Sequence, residues 1–162
     1  MSIDFSIVIP AKNEADSLPY LLSDIRSIYD NIPIILVDDG SSDNTVQIAT
    51  KYNCDVIKHP YSIGNGAAIK SGARAARTKY VLFMDADGQH DPKNISKLLA
   101  KAKDGYSMVV GARDDRSQAN ILRKFANGFY NFIASKVTGH KISDLTSGFR
   151  IVDRELFCKF LY

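Results

Sequence analysis

The 162-residue chain contains two cysteines, no tryptophan and no long hydrophobic run. Cys54 and Cys158 lie far apart and outside any Cys-x-x-Cys or Cys/His spacing, which argues against both a zinc site and a disulfide framework. No apolar stretch approaches the ~20 residues of a membrane-spanning helix, and no leader-like segment precedes the first predicted strand. We therefore expect two reduced thiols in a soluble, cytoplasmic protein.

The chain also lacks a strong excess of either charge. It has 21 Lys and Arg residues against 18 Asp and Glu residues, a formal net charge of +3. So close a balance does not support a nucleic-acid-binding surface or a polybasic membrane anchor. With 45% hydrophobic residues, the chain is long enough for one compact core, and we predict a single domain over residues 1–162.

Apolar runs typical of buried strands alternate with amphipathic segments typical of helices. The predicted strands are FSIVIP (5–10), IILVDD (34–39), DVIK (55–58), YVLFMD (80–85) and SMVVG (107–111). The predicted helices are one with a face of Leu18, Leu21, Leu22, Ile25 and Ile28, one capped by Asp43, one over 66–77, one opened by Asp91 and Pro92, and one over 119–137 after a polar loop. This alternation predicts a three-layer α/β fold with a mostly parallel sheet.

Polar residues follow three of the predicted strands, where open α/β sheets bind their ligands. They are residues 10–14, 38–43 and 85–90. Asp85 and Asp87 form an Asp-x-Asp pair that can hold one hard cation, Mg²⁺ or Mn²⁺, against a diphosphate. Because turns favour aspartate, the alternative is a pair of solvated turn residues.

Asp38 and Asp39 end a buried strand, where desolvation of two carboxylates is costly unless polar groups pair with them. A turn leading to a helix cap explains residues 40–43 but not this pair. We predict that ribose hydroxyls or a base N–H supply the partners. The Gly64-Asn65-Gly66 segment is either a tight turn or a loop whose amides, together with Lys70, approach a phosphate or a base.

Taken together in chain order, these segments resemble one family. The motifs are PAKNEA, VDDGSSD, GNGAAIKSGARAA, MDADGQHDP, GAR and DLTSGFRIVDREL. They resemble the family 2 inverting glycosyltransferases, in particular the dolichyl- or polyprenyl-phosphate sugar transferases. The resemblance covers nearly the whole chain, and it implies the GT-A fold, a three-layer α/β/α domain with a mixed sheet.

The resemblance also implies roles for the matching residues. The nucleotide of a UDP- or GDP-sugar would contact Pro10, Ala11, Asn13, Glu14, Asp38, Asp39, Gly66, Lys70, Asp85 and Ala86. The metal, Mg²⁺ or Mn²⁺, would be held by Asp85, Asp87 and Gln89. The acceptor or its phosphate would contact Arg113, Arg116, Arg123, Ser147 and Arg150, although Arg116 fits a solvated surface charge equally well.

The predicted reaction is a single in-line displacement that inverts the anomeric carbon. Asp87, Gln89 and His90 are the catalytic candidates, and Asp87 or His90 would be the general base for a hydroxyl acceptor. A phosphate acceptor is largely ionised at neutral pH and needs no base, which favours a polyprenyl or dolichyl phosphate over a saccharide hydroxyl.

Related transferases continue further, so we expect a catalytic domain that is incomplete at its C-terminus. A nucleotide-sugar-binding fragment without catalysis is the alternative. Peripheral contact with the cytoplasmic face of a membrane and homo-oligomer formation stay open, and no nucleic-acid partner is expected.

Overall fold

A computed structural model of the chain describes residues 4–111 and 147–161. The elements are β1 (Phe5–Ala11), α1 (Leu18–Ile28), β2 (Ile34–Asp38), α2 (Thr45–Lys51), β3 (Asp55–Lys58), α3 (Asn65–Ala75), β4 (Tyr80–Phe83), a 3-10 helix (Pro92–Asn94), α4 (Ile95–Lys103), β5 (Met108–Val110), β6 (Arg150–Asp153) and α5 (Arg154–Lys159). The helix predicted over 119–137 and the polar loop before it lie outside the described residues. No helix in the described ranges is long and apolar enough to cross a bilayer.

The six described strands form one sheet in the order β3-β2-β1-β4-β6-β5. The four strands from β3 to β4 are parallel neighbours, whereas β6 is antiparallel to both β4 and β5. The register places Ala11 opposite Asp38 and Val8 opposite Phe83. The loops after β1, β2 and β4 therefore leave the sheet at the same edge, and the predicted mostly parallel mixed sheet is confirmed.

The strands direct alternate side chains into two apolar cores, one on each face of the sheet. Ile7 and Ile9 belong to the core formed with α1, α2 and α4. Val8 belongs to the opposite core, formed with α3 and α5. All three side chains are fully buried, so the sheet is the middle layer and the three-layer α/β/α prediction is confirmed.

Three details of the sequence prediction are wrong, and they concern the edge of the sheet and the ends of two helices. The SMVVG strand is predicted to be buried, but Met108 is 53% exposed because β5 lies at the edge of the sheet. Ile28 is predicted on the buried face of α1 but is 42% exposed, since it ends the helix. Asp43 lies one position before the N-cap Asn44, although its carboxylate accepts a hydrogen bond from the Thr45 amide at 3.0 Å.

Helix α3 packs against the sheet at Gly72, where there is no room for a side chain. A Cβ added there would overlap Cγ1 of Val8 and lie 3.2 Å from Cγ2 of Val37. Because β-branched side chains in a packed core cannot turn aside freely, we expect Gly72→Ala to lower the free energy of unfolding by about 1–3 kcal/mol. Urea unfolding measures this change. In the matched control Gly66→Ala, a Cβ meets nothing within 4 Å, and equal losses in both variants would contradict the packing argument.

Candidate functional site

Residues from the loops after β1, β2 and β4, with others after β3 and in α3, line an open pocket of about 410 Å³ at the carboxyl edge of the sheet. Seven of the predicted site residues line it: Pro10, Ala11, Glu14, Asp39, Asp85, Ala86 and Asp87. The predicted convergence of three loops is therefore confirmed. Gly64 and Asn65, from the segment predicted as either a tight turn or a ligand-contacting loop, line it too, and the three lining residues without a predicted role are Lys12, Ser62 and Ala68.

Successive backbone amides tie the first loop to side chains of the second loop. The pairs are Asn13 N to Ser41 Oγ at 2.9 Å, Glu14 N to Thr45 Oγ1 at 2.9 Å, and Ala15 N to Asp43 Oδ2 at 3.0 Å. In return, Ser42 N donates to Oδ1 of Asn13 at 2.8 Å. Asn13 has a φ of +55°, a left-handed conformation that asparagine tolerates. Asn13 thus braces the two loops and is not among the pocket-lining residues.

The buried carboxylate of Asp39 is surrounded by donors from the residues after β3. Its Oδ1 accepts from His59 Nδ1 and from Ile63 N, both at 2.8 Å. Its Oδ2 accepts from Ser62 Oγ at 2.7 Å and from Gly64 N at 2.9 Å. Burial alone would raise the pKa of Asp39, but these hydrogen bonds together hold it well below its usual range. The protein itself therefore supplies the polar partners that Asp39 needs, and a direct contact with the nucleotide stays a prediction.

His59 is a residue that the sequence analysis missed. It directly follows β3, which pairs with β2 in parallel, so its loop leaves the sheet at the same edge as the other three. The predicted site draws on the polar residues after three strands and does not include the residues that directly follow β3. Applying the same rule to β3 would have found His59.

Asp38 closes the turn after β2. Its buried carboxylate accepts a hydrogen bond from Ser41 N at 3.1 Å through Oδ1. Gly40, within this turn, has a φ of +75°, and a Cβ there would lie 3.0 Å from Ser62 N. Glycine is therefore required for both its backbone conformation and the close approach of the loop that follows β3.

The two carboxylates after β4 are open to the pocket, unlike that of Asp39. Asp87 is exposed, and its Oδ1 accepts a hydrogen bond from Gln89 N at 3.0 Å. The side chain of Asp85 is 37% exposed, and its Oδ2 lies 3.7 Å from Nε2 of His90. Behind it, a Cβ added at Gly148 would overlap the carboxylate, 2.5 Å from Oδ1. Asp85 thus has one face against the protein and the other toward the pocket.

This pair of carboxylates fits a divalent cation that takes its other ligands from elsewhere. Within residues 4–111 and 147–161, no three His, Cys, Asp or Glu side chains are grouped to hold a metal ion. Mg²⁺ is usually bound by one or two carboxylates, water and substrate phosphates rather than by a full protein cage. Asp85 and Asp87 match that pattern. The predicted third ligand, Gln89, instead lines a neighbouring pocket that shares Asp87 with the first.

His90 lies behind Asp85 and is 8% exposed. Its ring stacks on Phe149 with a centroid distance of 5.1 Å and an interplanar angle of 14°. With Gln89, it lines the neighbouring pocket rather than the first one. The contact with Asp85 therefore connects His90 to the site through another side chain, and its role as a general base stays a prediction.

Ser147 and Arg150 lie on either side of Gly148 and Phe149 in the chain, and Gly148 is the residue that lies against the Asp85 carboxylate. The Ser147 hydroxyl donates to the carbonyl oxygen of Gly111 at 2.7 Å, accepts from Phe149 N at 3.2 Å, and is buried. The guanidinium of Arg150 lies 5.8 Å from the centroid of the Phe83 ring. Its Nε is buried with no hydrogen-bond partner in the described part of the chain. Ser147 thus joins two segments of the protein, and the contact of Arg150 with an acceptor stays a prediction.

The remaining predicted residues fall into two groups. Lys70 lies within α3 and Gly66 in its first turn, and neither lines the pocket. Arg113, Arg116 and Arg123 lie outside the described residues.

Hydrogen bonds that hold Asp39 and Asp43 predict a loss of stability in acid. Burial alone would raise the pKa of Asp43 too, but hydrogen bonds from Thr45 and Ala15 lower it overall. A lowered folded-state pKa stabilises the fold fully above the unfolded value of about 4, and that contribution is lost as the pH falls toward the folded value. We expect Asp39→Asn to cost about 1–3 kcal/mol at pH 7, with a smaller difference at pH 3.

Urea unfolding at the two pH values measures this effect. The control is Asp24→Asn, which changes an exposed carboxylate on α1. Suppose that the free energies of unfolding of wild type and Asp39→Asn differ by the same amount at pH 7 and at pH 3. That result would contradict the assignment of Asp39 as a hydrogen-bonded carboxylate.

Solved structures similar to this chain place it in a fold class. Mannosyl-3-phosphoglycerate synthase from Rubrobacter xylanophilus matches with a TM-score of 0.79 at 22% identity, covering 96% of this chain and 55% of that chain. Glucosyl-3-phosphoglycerate synthase from Mycobacterium tuberculosis, in complex with Mn²⁺ and UDP-glucose, matches with a TM-score of 0.73 at 23% identity, covering 96% and 57%. The fold is the GT-A glycosyltransferase fold, as predicted.

Sequence comparison gives the family within that class. The model of glycosyl transferase family 2 matches residues 6–161, and the chain belongs to this family. Undecaprenyl-phosphate 4-deoxy-4-formamido-L-arabinose transferase from Salmonella paratyphi B is 32% identical over an alignment of 168 positions, gaps included, that covers 94% of this chain and 51% of the relative. An uncharacterized protein of Methanocaldococcus jannaschii is 32% identical over 158 residues, covering 92% and 64%. The chain thus spans between 51% and 64% of the length of these two relatives.

Proposed function

We propose that the chain binds a UDP- or GDP-sugar in the 410 Å³ pocket and transfers the sugar to a polyprenyl or dolichyl phosphate. The observation that carries this proposal is the meeting of Asp39, Asp85 and Asp87 in one pocket at the carboxyl edge of the sheet. Membership of family 2 supports sugar transfer. The undecaprenyl-phosphate named for one relative supports the acceptor, and the Mn²⁺ and UDP-glucose named for one structure support the donor and the metal.

Different pocket residues would bind different parts of the sugar donor. Mg²⁺ or Mn²⁺ bound at Asp85 and Asp87 would neutralise the diphosphate and stabilise it as the leaving group. Lys12, which is exposed and lines the same pocket, adds a positive charge for the diphosphate. Asp39 and the segment after β3 form the opposite wall, which we assign to the nucleoside.

The acceptor oxygen would attack the anomeric carbon from the face opposite the diphosphate. One carbon–oxygen bond forms to the acceptor while the bond to the diphosphate breaks, so the configuration inverts. An acceptor phosphate is already largely ionised at neutral pH, and arginine side chains suit its oxygens. Arg150 in the described chain, with Arg113, Arg116 and Arg123, is our proposed contact for it. A lipid-phosphate acceptor would bring the protein to the cytoplasmic face of a membrane.

A nucleotide panel tests the donor site. We expect one of the UDP- or GDP-sugars, with Mn²⁺ present, to raise the thermal midpoint by about 5–10 °C, since a ligand at 100 times its Kd adds ~2.7 kcal/mol to stability. Differential scanning fluorimetry with and without Mn²⁺ measures the shift. If no nucleotide stabilises the chain, the proposal is wrong.

Transfer to polyprenyl phosphate and to saccharide hydroxyls is then assayed with the donor that binds. Transfer to the lipid phosphate supports the proposed acceptor. Transfer to a hydroxyl would favour the saccharide alternative, and binding without transfer would favour a nucleotide-sugar-binding fragment.

A further inference from the structure

The carboxylate of Asp39 has no acceptor capacity left for a ligand. A carboxylate offers about four lone-pair sites, two on each oxygen. Oδ1 accepts from His59 and Ile63, and Oδ2 accepts from Ser62 and Gly64, all at 2.7–2.9 Å. A ligand that reaches this wall of the pocket therefore meets the donors around Asp39 and not the carboxylate.

Of these four donors, Ser62 is the one that donates from an exposed side chain and also lines the pocket. A serine hydroxyl has one proton to donate and two lone pairs that accept. The Ser62 hydroxyl donates its proton to Oδ2 of Asp39, because an ionised carboxylate can only accept. Ser62 lines the pocket, and with this proton already donated its oxygen can only accept, so the group it can recognise is a hydrogen-bond donor.

His59 fixes the carboxylate that holds Ser62. Its Nδ1 lies 2.8 Å from Oδ1 of Asp39, and its Nε2 lies 3.0 Å from the Ser71 hydroxyl on α3. Since Asp39 only accepts, Nδ1 carries the proton, and the serine hydroxyl can satisfy Nε2 in either protonation state. The imidazole and the Asp39 carboxylate are each 8% exposed. Asp39 therefore cannot turn toward a ligand without breaking buried hydrogen bonds.

We propose that Ser62 recognises the nucleoside of the donor by accepting a hydrogen bond from it, and that Asp39 and His59 are positioning residues that act through Ser62. This inference rests on the proposed function. The matching groups on a nucleotide are the ribose hydroxyls and the base N–H. An ionised phosphate does not match, because its oxygens only accept.

Titration calorimetry on the full chain with Mn²⁺ tests this assignment, using UDP and GDP as probes. We expect Ser62→Ala to weaken binding of the preferred nucleotide about fivefold, which corresponds to ~1 kcal/mol for one neutral hydrogen bond. Inorganic pyrophosphate, which has neither a ribose hydroxyl nor a base N–H, should bind both proteins equally. Ser62→Thr keeps the hydroxyl and should restore nucleotide binding, and Ser96→Ala, an exposed serine on α4, is the matched control.

Two sets of nucleotide analogues separate the sources of the donated hydrogen bond. If a ribose hydroxyl is the partner, 2′- or 3′-deoxynucleotides should bind wild type and Ser62→Ala equally. If the base is the partner, nucleotides methylated at the base N–H should do so. The inference is overturned if Ser62→Ala binds nucleotide like wild type, if it loses pyrophosphate to the same degree, or if its defect persists with every analogue. Failure of wild type to bind any nucleotide would instead refute the proposed function itself.

Discussion

The variant Asp87→Asn is expected to lose the Mn²⁺-dependent part of the nucleotide-induced thermal shift, and its sugar transfer should fall at least about 100-fold. Asp87 is the exposed member of the carboxylate pair in the pocket, and a metal bound there would supply several kcal/mol of stabilisation to the leaving diphosphate. Asparagine keeps an oxygen that can accept from Gln89 N, the bond that Asp87 makes at 3.0 Å. The fold should therefore survive while the charge that attracts the cation is lost.

The thermal midpoint without ligand checks that Asp87→Asn is folded. The matched control is Asp16→Asn, which removes an exposed charge from the first loop without altering a pocket-lining residue. It should keep the full Mn²⁺-dependent shift. If Asp87→Asn kept that shift too, Asp87 would not be a metal ligand.

The central part of the fold could be predicted from the sequence because its strands are buried on both faces. Strands such as β1 and β4 then appear as unbroken apolar runs, which are easily separated from the amphipathic helices between them. β6 was not predicted, since its four residues begin with Arg150 and end with Asp153 and look like part of a polar segment. Its place between β4 and β5 depends on pairing with strands distant in the sequence, which no local pattern reports.

The position of the pocket could also be predicted, because parallel strands bring the residues that follow them to one edge. What could not be predicted was which protein groups those residues contact. Asp39 was expected to need a ligand, but His59 and the segment around Ser62 already supply its partners. Lys12 lies inside a motif that was read for its amide and acid residues, so its position in the pocket was not recognised.

The Asp85 environment is a second feature that depends on distant residues. Asp85 follows β4, whereas Gly148 lies far along the chain, directly before Phe149 and β6. Pairing of β6 with β4 brings the two residues together, with Phe83 opposite Arg150 in the register. The need for glycine at 148 is therefore visible only once the antiparallel pairing is known.

This contact predicts that Gly148→Ala will disable the metal site although neither proposed ligand residue is replaced. A Cβ at this position would overlap the Asp85 carboxylate, and the carboxylate would have to move away from the place where it faces the pocket. Because ligand geometry must be held within a fraction of an ångström for a metal site to work, we expect loss of the Mn²⁺-dependent thermal shift, as in Asp85→Ala. We expect only a small loss in unfolding free energy, because the carboxylate is the far end of a partly exposed side chain that can turn aside.

A double-mutant cycle distinguishes this mechanism from general damage to the fold. Removing the carboxylate makes room for the new methyl group, so Gly148→Ala combined with Asp85→Ala should be no less stable than Asp85→Ala alone. Nucleotide binding by the double variant should likewise match that of Asp85→Ala. Additive losses of stability would mean that the methyl group clashes with something other than Asp85. A Gly148→Ala variant that kept its Mn²⁺-dependent shift would contradict the proposal that the metal needs the Asp85 carboxylate in its place against Gly148.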